Sequence, residues 1–423
     1  MKARLLVILA IPLLIIGVGF YIFVFSKPKV YNLEEFKTLT SKKEITLRLE
    51  NFERAERLRV KILQEGKEVV LYDGVPLREI KIDVRPKGLG LKEGEAEAVV
   101  ELQRFFFLRD TYRIKSLIDY TPPKVEVLFA PSRVMTGGSG TIKIAVSEDS
   151  KLSLRVGELE FPFYGAGNNT YLALFAVPLN FKGGIVIEAV DKVGNTTRLE
   201  VPSLVVLKEY PQYDIELKGK EEQMMPKLVS LLGDKANQLS FIEAFKKVNE
   251  DLRMQTEKTI SEITKNSEKK IYWNEEFIQL KNSKVVSLFG ERRIYTYEGK
   301  QISESYHWGY DLASVKNAPV EAANDGKVVY TGFLGIYGNT VIIDHGYGLM
   351  SIYAHLAEFK VKEGDFVKKG QIIGFTDTTG LAFGDHLHYE MRIHGVPVNP
   401  IEWWDKKWIK NNILPALQPS GVR

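Results

Sequence analysis

The chain has 423 residues, of which 44% are hydrophobic and 26% are charged, and its net charge is +4. This length and composition are typical of a folded protein with roughly two to four domains, and the small net charge gives no support for a nucleic-acid partner. The chain contains no cysteine, which excludes disulfides and thiolate metal sites. A bound metal would therefore need histidine, aspartate or glutamate ligands.

The first predicted element is an apolar run from Leu5 to Phe25, preceded by Lys2 and Arg4. A run of about 20 apolar residues is long enough to cross a bilayer as a helix. It ends in aromatic and β-branched residues, a poor place for the small-residue cleavage site of a signal peptide. We therefore predict an uncleaved transmembrane helix over residues 5–25, although the flanking charges set its orientation only weakly.

Two β modules are predicted next, over residues 30–121 and 122–205. In the first, apolar residues alternate with polar ones around Leu47, as expected for half-buried strands. Prolines 122 and 123 indicate the boundary, because proline cannot donate a hydrogen bond into a sheet. The second module contains short alternating strands separated by turns, and its segment Ala189 to Asn195 resembles the last strands of bacterial immunoglobulin-like modules. We expect two immunoglobulin-like β-sandwiches.

Residues 220–270 differ in composition, since glycine and aromatic residues become rarer while Glu, Lys, Gln and Met increase. The sequence from Ser240 to Glu243 is a capping box, and apolar residues follow it at helical spacing. We predict two or three helices. Two interpretations stay open: a spacer that packs on its neighbours, or a segment that covers a functional cleft until a protein partner moves it.

The last predicted domain, residues 275–408, consists of short strands and contains all six histidines of the chain. His307 and Asp311 are four residues apart, with a glycine between them, in a loop or at a strand edge. His386 and His388 are two apart, so on a strand both side chains lie on one face. Imidazole and carboxylate groups are ligands that Zn²⁺ prefers, and three protein ligands with one open position are typical of a catalytic zinc site.

The segment from about Val286 to Trp403 resembles the lysostaphin-type zinc endopeptidases, a family that cuts peptidoglycan cross-bridges. The resemblance rests on three elements in the family's order: H-x-x-x-D at His307 and Asp311, Tyr-Ala-His-Leu at His355, and His-Leu-His at His386 and His388.

This resemblance implies an all-β peptidase domain with the duplicated hybrid motif fold. It assigns Zn²⁺ to His307, Asp311 and His388, and it makes His355 and His386 the catalytic histidines that are not ligands. One of these two would take a proton from the zinc-activated water, and the other would hydrogen-bond the tetrahedral oxyanion. Which histidine has which role stays open.

The sequence as a whole is thus mainly β and predicts a membrane-anchored zinc metalloendopeptidase that acts on peptidoglycan. It would lie in the bacterial cytoplasmic membrane, with its domains on the extracytoplasmic side. The alternative is a catalytically silent scaffold that binds the wall or activates another hydrolase. A lipoyl-type carrier would explain the glycine-spaced run from Val361 to Gly374 but not the His/Asp set. His345 is expected to be a hydrogen-bonded turn residue and His394 an exposed hairpin residue.

Overall fold

The computed structural model describes residues 18–19, 27–104 and 108–418. The chain forms two compact units, Met1–Pro123 with Val190–Thr196 and Lys124–Ala189 with Thr197–Arg423. The predicted transmembrane helix over 5–25 lies outside the described residues, apart from Val18 and Gly19. Within the described ranges, every helix is too short or too polar to span a bilayer.

The first unit contains two sheets around one apolar core. The strand Lys43–Glu50 shows why the sequence folds this way, because it buries Ile45, Leu47 and Leu49 and turns the intervening polar residues outward. The three-stranded sheet has the order Lys29–Tyr31, Lys43–Glu50 and Glu79–Val84. The five-stranded sheet has the order Thr38–Leu39, Leu108–Ile118, Gly94–Arg104, Ala55–Gln64 and Lys67–Gly74. Short 3-10 turns lie at Leu33–Lys37, Phe52–Arg54 and Lys87–Leu89.

The second β module has two four-stranded sheets. Their buried residues share one core, as shown by Ile142 and Leu174 from one sheet with Leu154 and Ile187 from the other. One sheet has the order Tyr164–Gly165, Thr170–Ala176, Ser139–Val146 and Val125–Phe129, and the other has the order Leu159–Pro162, Lys151–Val156, Ile185–Val190 and Thr196–Glu200. Arg133–Met135 and Leu204–Val206 form a parallel pair beside them.

The helical segment consists of Glu221–Leu232, Phe241–Lys246, a π-helical turn at Lys247–Leu252, and Arg253–Lys265, with a 3-10 turn at Gly233–Gln238. The predicted capping box is present, since the Ser240 hydroxyl accepts from the Glu243 N–H and the Glu243 carboxylate accepts from the Ser240 N–H. Phe245, buried on the inner face, packs edge-on against Tyr295 with ring centroids 4.9 Å apart. The apolar spacing therefore holds the helices on the strands that follow.

The last part of the chain is built on an eight-stranded sheet that carries the histidines. Its order is Lys284–Ser287, Tyr310–Ala313, Leu387–Ile393, Leu349–Ala354, Asn339–Gly346, Gly326–Phe333 and Phe366–Val367, with Val396–Val398 paired to Leu387–Ile393. Two smaller sheets have three strands each. One has the order Pro319–Glu321, Ile372–Thr376 and Leu356–Phe359, and the other has the order Gln212–Glu216, Arg292–Tyr297 and Lys300–Tyr306. A 3-10 turn lies at Gly335–Tyr337, and the helices Pro400–Trp404, Lys406–Asn412 and Leu414–Leu417 follow.

Within the second unit, the β module and the eight-stranded sheet share a hydrophobic core. Tyr164 stacks on Tyr347 with ring centroids 4.3 Å apart, and the Glu402 carboxylate accepts from both the N–H and the hydroxyl of Ser139 at 2.9 Å. The mainly β prediction is confirmed, and the sheet that carries the histidines is supported by its neighbour through apolar and polar contacts.

Candidate active site

Strand register brings the distant histidines and the aspartate together. Tyr310–Ala313 pairs with Leu387–Ile393 so that Asp311 lies directly opposite His388. The strand Leu349–Ala354 flanks the other side, with Ala354 opposite His388, and this places His355 beside the same position. Neighbouring strands in a sheet are only about 4.8 Å apart, so residues far apart in sequence come within ligand distance of each other.

His307, Asp311 and His388 converge on one point. His307 Nε2 lies 3.0 Å from Asp311 Oδ1 and 3.0 Å from His388 Nδ1, and His388 Nδ1 lies 2.8 Å from Asp311 Oδ1. Donors on a tetrahedral zinc ion at bond lengths near 2 Å are about 3.3 Å apart, so these three need only a small outward movement to hold one. Their ligand atoms form one of the clusters in the described residues that could hold a metal ion.

Outer hydrogen bonds set the orientation of both imidazoles. His307 Nδ1 donates to the Leu288 carbonyl oxygen at 2.8 Å, and His388 Nε2 donates to Glu390 Oε1 at 2.8 Å. Each ring therefore points its other nitrogen into the cluster, as second contacts of metal-binding histidines do. Two ring nitrogens and a carboxylate oxygen thus meet at a point that suits a cation, either a proton or a metal ion.

The pKa shifts of the three groups agree with this arrangement. Burial favours a raised pKa for Asp311, but His307 and the other histidines outweigh it and hold that pKa well below its ordinary value. Burial lowers the pKa of His307. Burial acts in the same direction on His388, but hydrogen bonds to Asp311 and Glu390 reverse the effect and raise its pKa to about 9. A proton on His388 is then the cation of the cluster, and a metal ion bound there would have to displace it.

His355 and His386 lie beside the cluster, with ring centroids 4.9 Å apart. His355 Nδ1 donates to the Thr379 carbonyl oxygen at 2.8 Å, which leaves its Nε2 as an acceptor. Burial, followed by the charges of the neighbouring histidines, lowers the pKa of His355 to about 3, so its imidazole is neutral. His386 Nδ1 contacts the Gly384 carbonyl oxygen at 2.7 Å, and its Nε2 lies 3.5 Å from Asp311 Oδ1.

A cavity of about 770 Å³ opens over these groups. The five histidine and aspartate side chains of the site contribute to its lining, and so do Met224, Phe245 and Arg253 of the helical segment. The interpretation of that segment as a cover or wall of the cleft therefore has a structural basis, while its packing on the sheet also fits the spacer interpretation.

The two other histidines lie outside the cavity lining. His345 is fully buried and hydrogen-bonds the Asp325 carbonyl oxygen and the Ser351 hydroxyl at 2.7 Å each, as expected. It lies in the strand Asn339–Gly346, however, and not in a turn as predicted. The prediction that His394 is exposed is wrong. It lies in the hairpin as expected, but its ring packs against Phe161 and Tyr164 of the second β module. Burial lowers its pKa to about 4.

A buried polar group behind His388 was not predicted from the sequence. Glu390 Oε2 accepts from Arg392 at 2.8 Å, and the Arg392 guanidinium also reaches Glu257 Oε2 at 2.8 Å. The Tyr337 hydroxyl contacts both carboxylates. A signal for two of these residues was available, because Glu390 and Arg392 continue the period of two from His388 on the same strand. Glu257 comes from a helix and has no comparable signal.

The comparisons with known proteins cover this region. Residues 305–400 match the model of peptidase family M23, which confirms the predicted resemblance. The DD-carboxypeptidase/endopeptidase Mpg of Neisseria meningitidis serogroup B is 47% identical over 95 residues, 22% of this chain and 22% of that protein. The peptidoglycan DD-endopeptidase ShyA of Vibrio cholerae is 39% identical over 119 residues, 28% of this chain and 27% of that protein.

Among solved structures, the catalytic domain of lysostaphin from Staphylococcus simulans matches at 28% identity, with 31% of this chain and 98% of that chain covered and a TM-score of 0.27. The chain spans about a quarter of the length of the two curated relatives.

Proposed function

We propose, from the premise that residues 305–400 form a metallopeptidase domain of family M23, that this protein is a zinc endopeptidase of the bacterial cell wall. It hydrolyses peptide bonds in peptidoglycan stem peptides or cross-bridges. The observation that carries the proposal is the convergence of His307, Asp311 and His388 on one cation position beside a cavity that also contains His355 and His386. The Neisseria and Vibrio relatives, named as peptidoglycan or DD-endopeptidases, support the substrate class.

The five side chains of the site have separate proposed roles in hydrolysis. Zn²⁺ held by His307, Asp311 and His388 would supply Lewis acidity towards the scissile carbonyl and the attacking water. His355 accepts the proton of that water, a role supported by the Thr379 contact that leaves its Nε2 as an acceptor. His386 lies nearer the rim. Its Nδ1 contacts the Gly384 carbonyl oxygen, so its Nε2 would donate to the oxyanion that develops on the carbonyl oxygen only when the ring carries a proton on both nitrogens.

The decisive experiment combines zinc content with muropeptide release from purified sacculi. Wild-type protein should contain about one zinc per chain and release muropeptides, and His388→Ala should lose both because one of three ligands is gone. His394→Gln changes a histidine of the same hairpin outside the cavity and should keep both. Zinc-free His388→Ala protein that still hydrolyses sacculi would refute the metallopeptidase mechanism. Binding to sacculi without any release would favour the silent scaffold instead.

The proposal includes the location of the protein. The apolar run from Leu5 to Phe25 would anchor it as a single-pass protein in the cytoplasmic membrane, with the domains on the extracytoplasmic side where peptidoglycan lies. We also propose that both β modules are immunoglobulin-like and that the domain with the histidines has the duplicated hybrid motif fold. Protease added outside spheroplasts should digest the domains; protection until the membrane is lysed would contradict this topology.

The helical segment is proposed to restrict access to the cleft until a protein regulator moves it. Met224 and Phe245 line the cavity, and the Lys227 ammonium donates to the Thr378 carbonyl oxygen, which ties the helix Glu221–Leu232 to the loop that orients His355. Lys227→Ala should raise the rate on sacculi more than the rate on a short soluble peptide. Lys258→Ala, an exposed change on the same segment, is the control. Equal rates for both variants and wild type would leave the segment as a spacer.

A further inference from the structure

A chain of buried polar contacts runs from the metal cluster to the helix Arg253–Lys265. It begins at His388 Nε2, which donates to Glu390 Oε1 at 2.8 Å, and continues through Arg392, which donates to Glu390 Oε2 at 2.8 Å. The same guanidinium donates to Glu257 Oε2 at 2.8 Å. The Tyr337 hydroxyl lies 2.7 Å from Glu257 Oε1 and also contacts Glu390, so it joins the two carboxylates.

The charged side chains of this chain of contacts are mostly buried, so each one depends on its partners. The Glu390 side chain is 0% exposed and that of Arg392 is 1% exposed, while Glu257 at the outer end is 23% exposed. A buried charge is costly unless it is paired and its hydrogen-bonding groups are satisfied. Arg392 is held between two carboxylates, and Glu390 has Arg392, His388 and the Tyr337 hydroxyl as partners. Glu257 therefore fixes the outer end of the arrangement that orients the His388 ring.

The formal charges around His388 also link Glu257 to the metal cluster. Asp311, Glu390 and Glu257 carry three negative charges and Arg392 carries one positive charge, which leaves two negative charges around a neutral His388. Arg293, which lies 3.8 Å from Asp311, pairs with Glu291 at 3.1 Å, and the pair adds no net charge. A divalent cation in the cluster brings the total to zero. Without Glu257, the same group with Zn²⁺ bound would hold one uncompensated positive charge in a buried place.

We propose that Glu257 is a positioning residue for the zinc ligand His388 and acts through Arg392 and Glu390. It lies outside residues 305–400, so the helical segment supplies part of the outer shell of the metal centre. This inference rests on the proposed zinc site. Outer-shell partners of a zinc-binding histidine such as Glu390 typically change metal affinity by about 10- to 100-fold. Glu257 acts two contacts further out, through Arg392, so a smaller weakening of about threefold to tenfold is expected on its removal.

Full-length protein in mild detergent is used for the test, as wild type, Glu257→Gln, Glu257→Ala and the control Glu262→Gln. Glu257→Gln keeps an acceptor for Tyr337 but removes the charge, whereas Glu262 is exposed on the same helix. Zinc affinity is measured by chelator competition. The visible spectrum of the Co²⁺-substituted protein reports ligand geometry, and thermal unfolding of the metal-free protein reports folding.

Both Glu257 variants should bind zinc more weakly and show an altered Co²⁺ spectrum. Glu262→Gln should behave as wild type, and the unfolding temperature of metal-free Glu257→Gln should change little. Wild-type zinc affinity and spectrum in folded Glu257→Gln would overturn the inference, and so would a loss confined to thermal stability in Glu257→Ala. Failure of the proposed function is distinguishable from either, because wild-type protein itself would then bind no zinc or release no muropeptides.

Discussion

The tight passage between the first two proposed ligands offers a sharp test of the site geometry. Gly309 lies between His307 and Asp311, and a methyl group added there would overlap the Tyr389 carbonyl oxygen. It would also lie 2.9 Å from Glu390 Cγ and 3.0 Å from His388 Cε1. The Tyr389 carbonyl oxygen is part of the backbone and cannot rotate away. In Gly309→Ala the strand Tyr310–Ala313, which begins at the next residue, must therefore separate locally from the strand Leu387–Ile393 by roughly 0.5–1 Å.

This separation acts directly on the metal cluster, because it moves His307 and Asp311 away from the strand that carries His388. Overpacking of this kind lowers the free energy of unfolding by about 1–3 kcal/mol. A misplacement near 1 Å at a reacting centre costs about 100-fold in rate, so kcat/KM on a soluble stem-peptide substrate should fall by roughly that factor. Zinc affinity, measured by chelator competition, should fall in parallel.

The control is Gly165→Ala on an exposed strand of the second β module, where an added methyl group meets no atom within 4 Å. It should change the free energy of unfolding by no more than about 0.5 kcal/mol and leave zinc affinity unchanged. If Gly309→Ala instead retains wild-type thermal stability, zinc affinity and rate, then the close approach of these two strands does not define the site and the reasoning is refuted.

Three further outcomes are expected. Because the pKa of His388 is raised to about 9, its proton must leave when Zn²⁺ binds, and zinc affinity should rise about tenfold per pH unit between roughly pH 6 and 8 in chelator competition; a flat profile would contradict the assignment. His355→Ala should retain zinc yet lose about 10²- to 10⁴-fold in hydrolysis rate, whereas loss of zinc would place His355 among the ligands. Burial raises the pKa of Glu402 from 4.5 to about 8, so its contribution to stability is complete below about pH 4.5 and is lost as pH rises to 8. Glu402→Gln keeps an acceptor for Ser139 and should exceed wild type in free energy of unfolding at pH 8 by roughly 4 kcal/mol, measured by denaturant titration; equal stability would show that Glu402 ionises without penalty.

Local rules account for what could be predicted about the fold. The alternation around Leu47 gave strands because one face of a sheet is buried, and the capping box at Ser240 gave a helix start because its contacts lie within four residues. His394 shows where such rules fail. A hairpin position is ordinarily exposed, but this one is covered by Phe161 and Tyr164, which come from a module more than 200 residues away in sequence.

The sequence by itself determined which side chains could bind a metal, because ligand chemistry is a property of the residue and the order of His307, Asp311, His355, His386 and His388 is that of a known family. Tertiary structure decided how these side chains meet. The pairing of Asp311 with His388 follows from strand register, which depends on non-local contacts across the sheet.

Tertiary structure alone also brought Glu257 to the buried polar contacts behind His388. Its helix is predictable from its own residues, but the contact with Arg392 forms only because apolar packing seats that helix on the strands. Sequence patterns report local periodicity, whereas a charge that acts through a buried chain of contacts is fixed by the packing of distant segments.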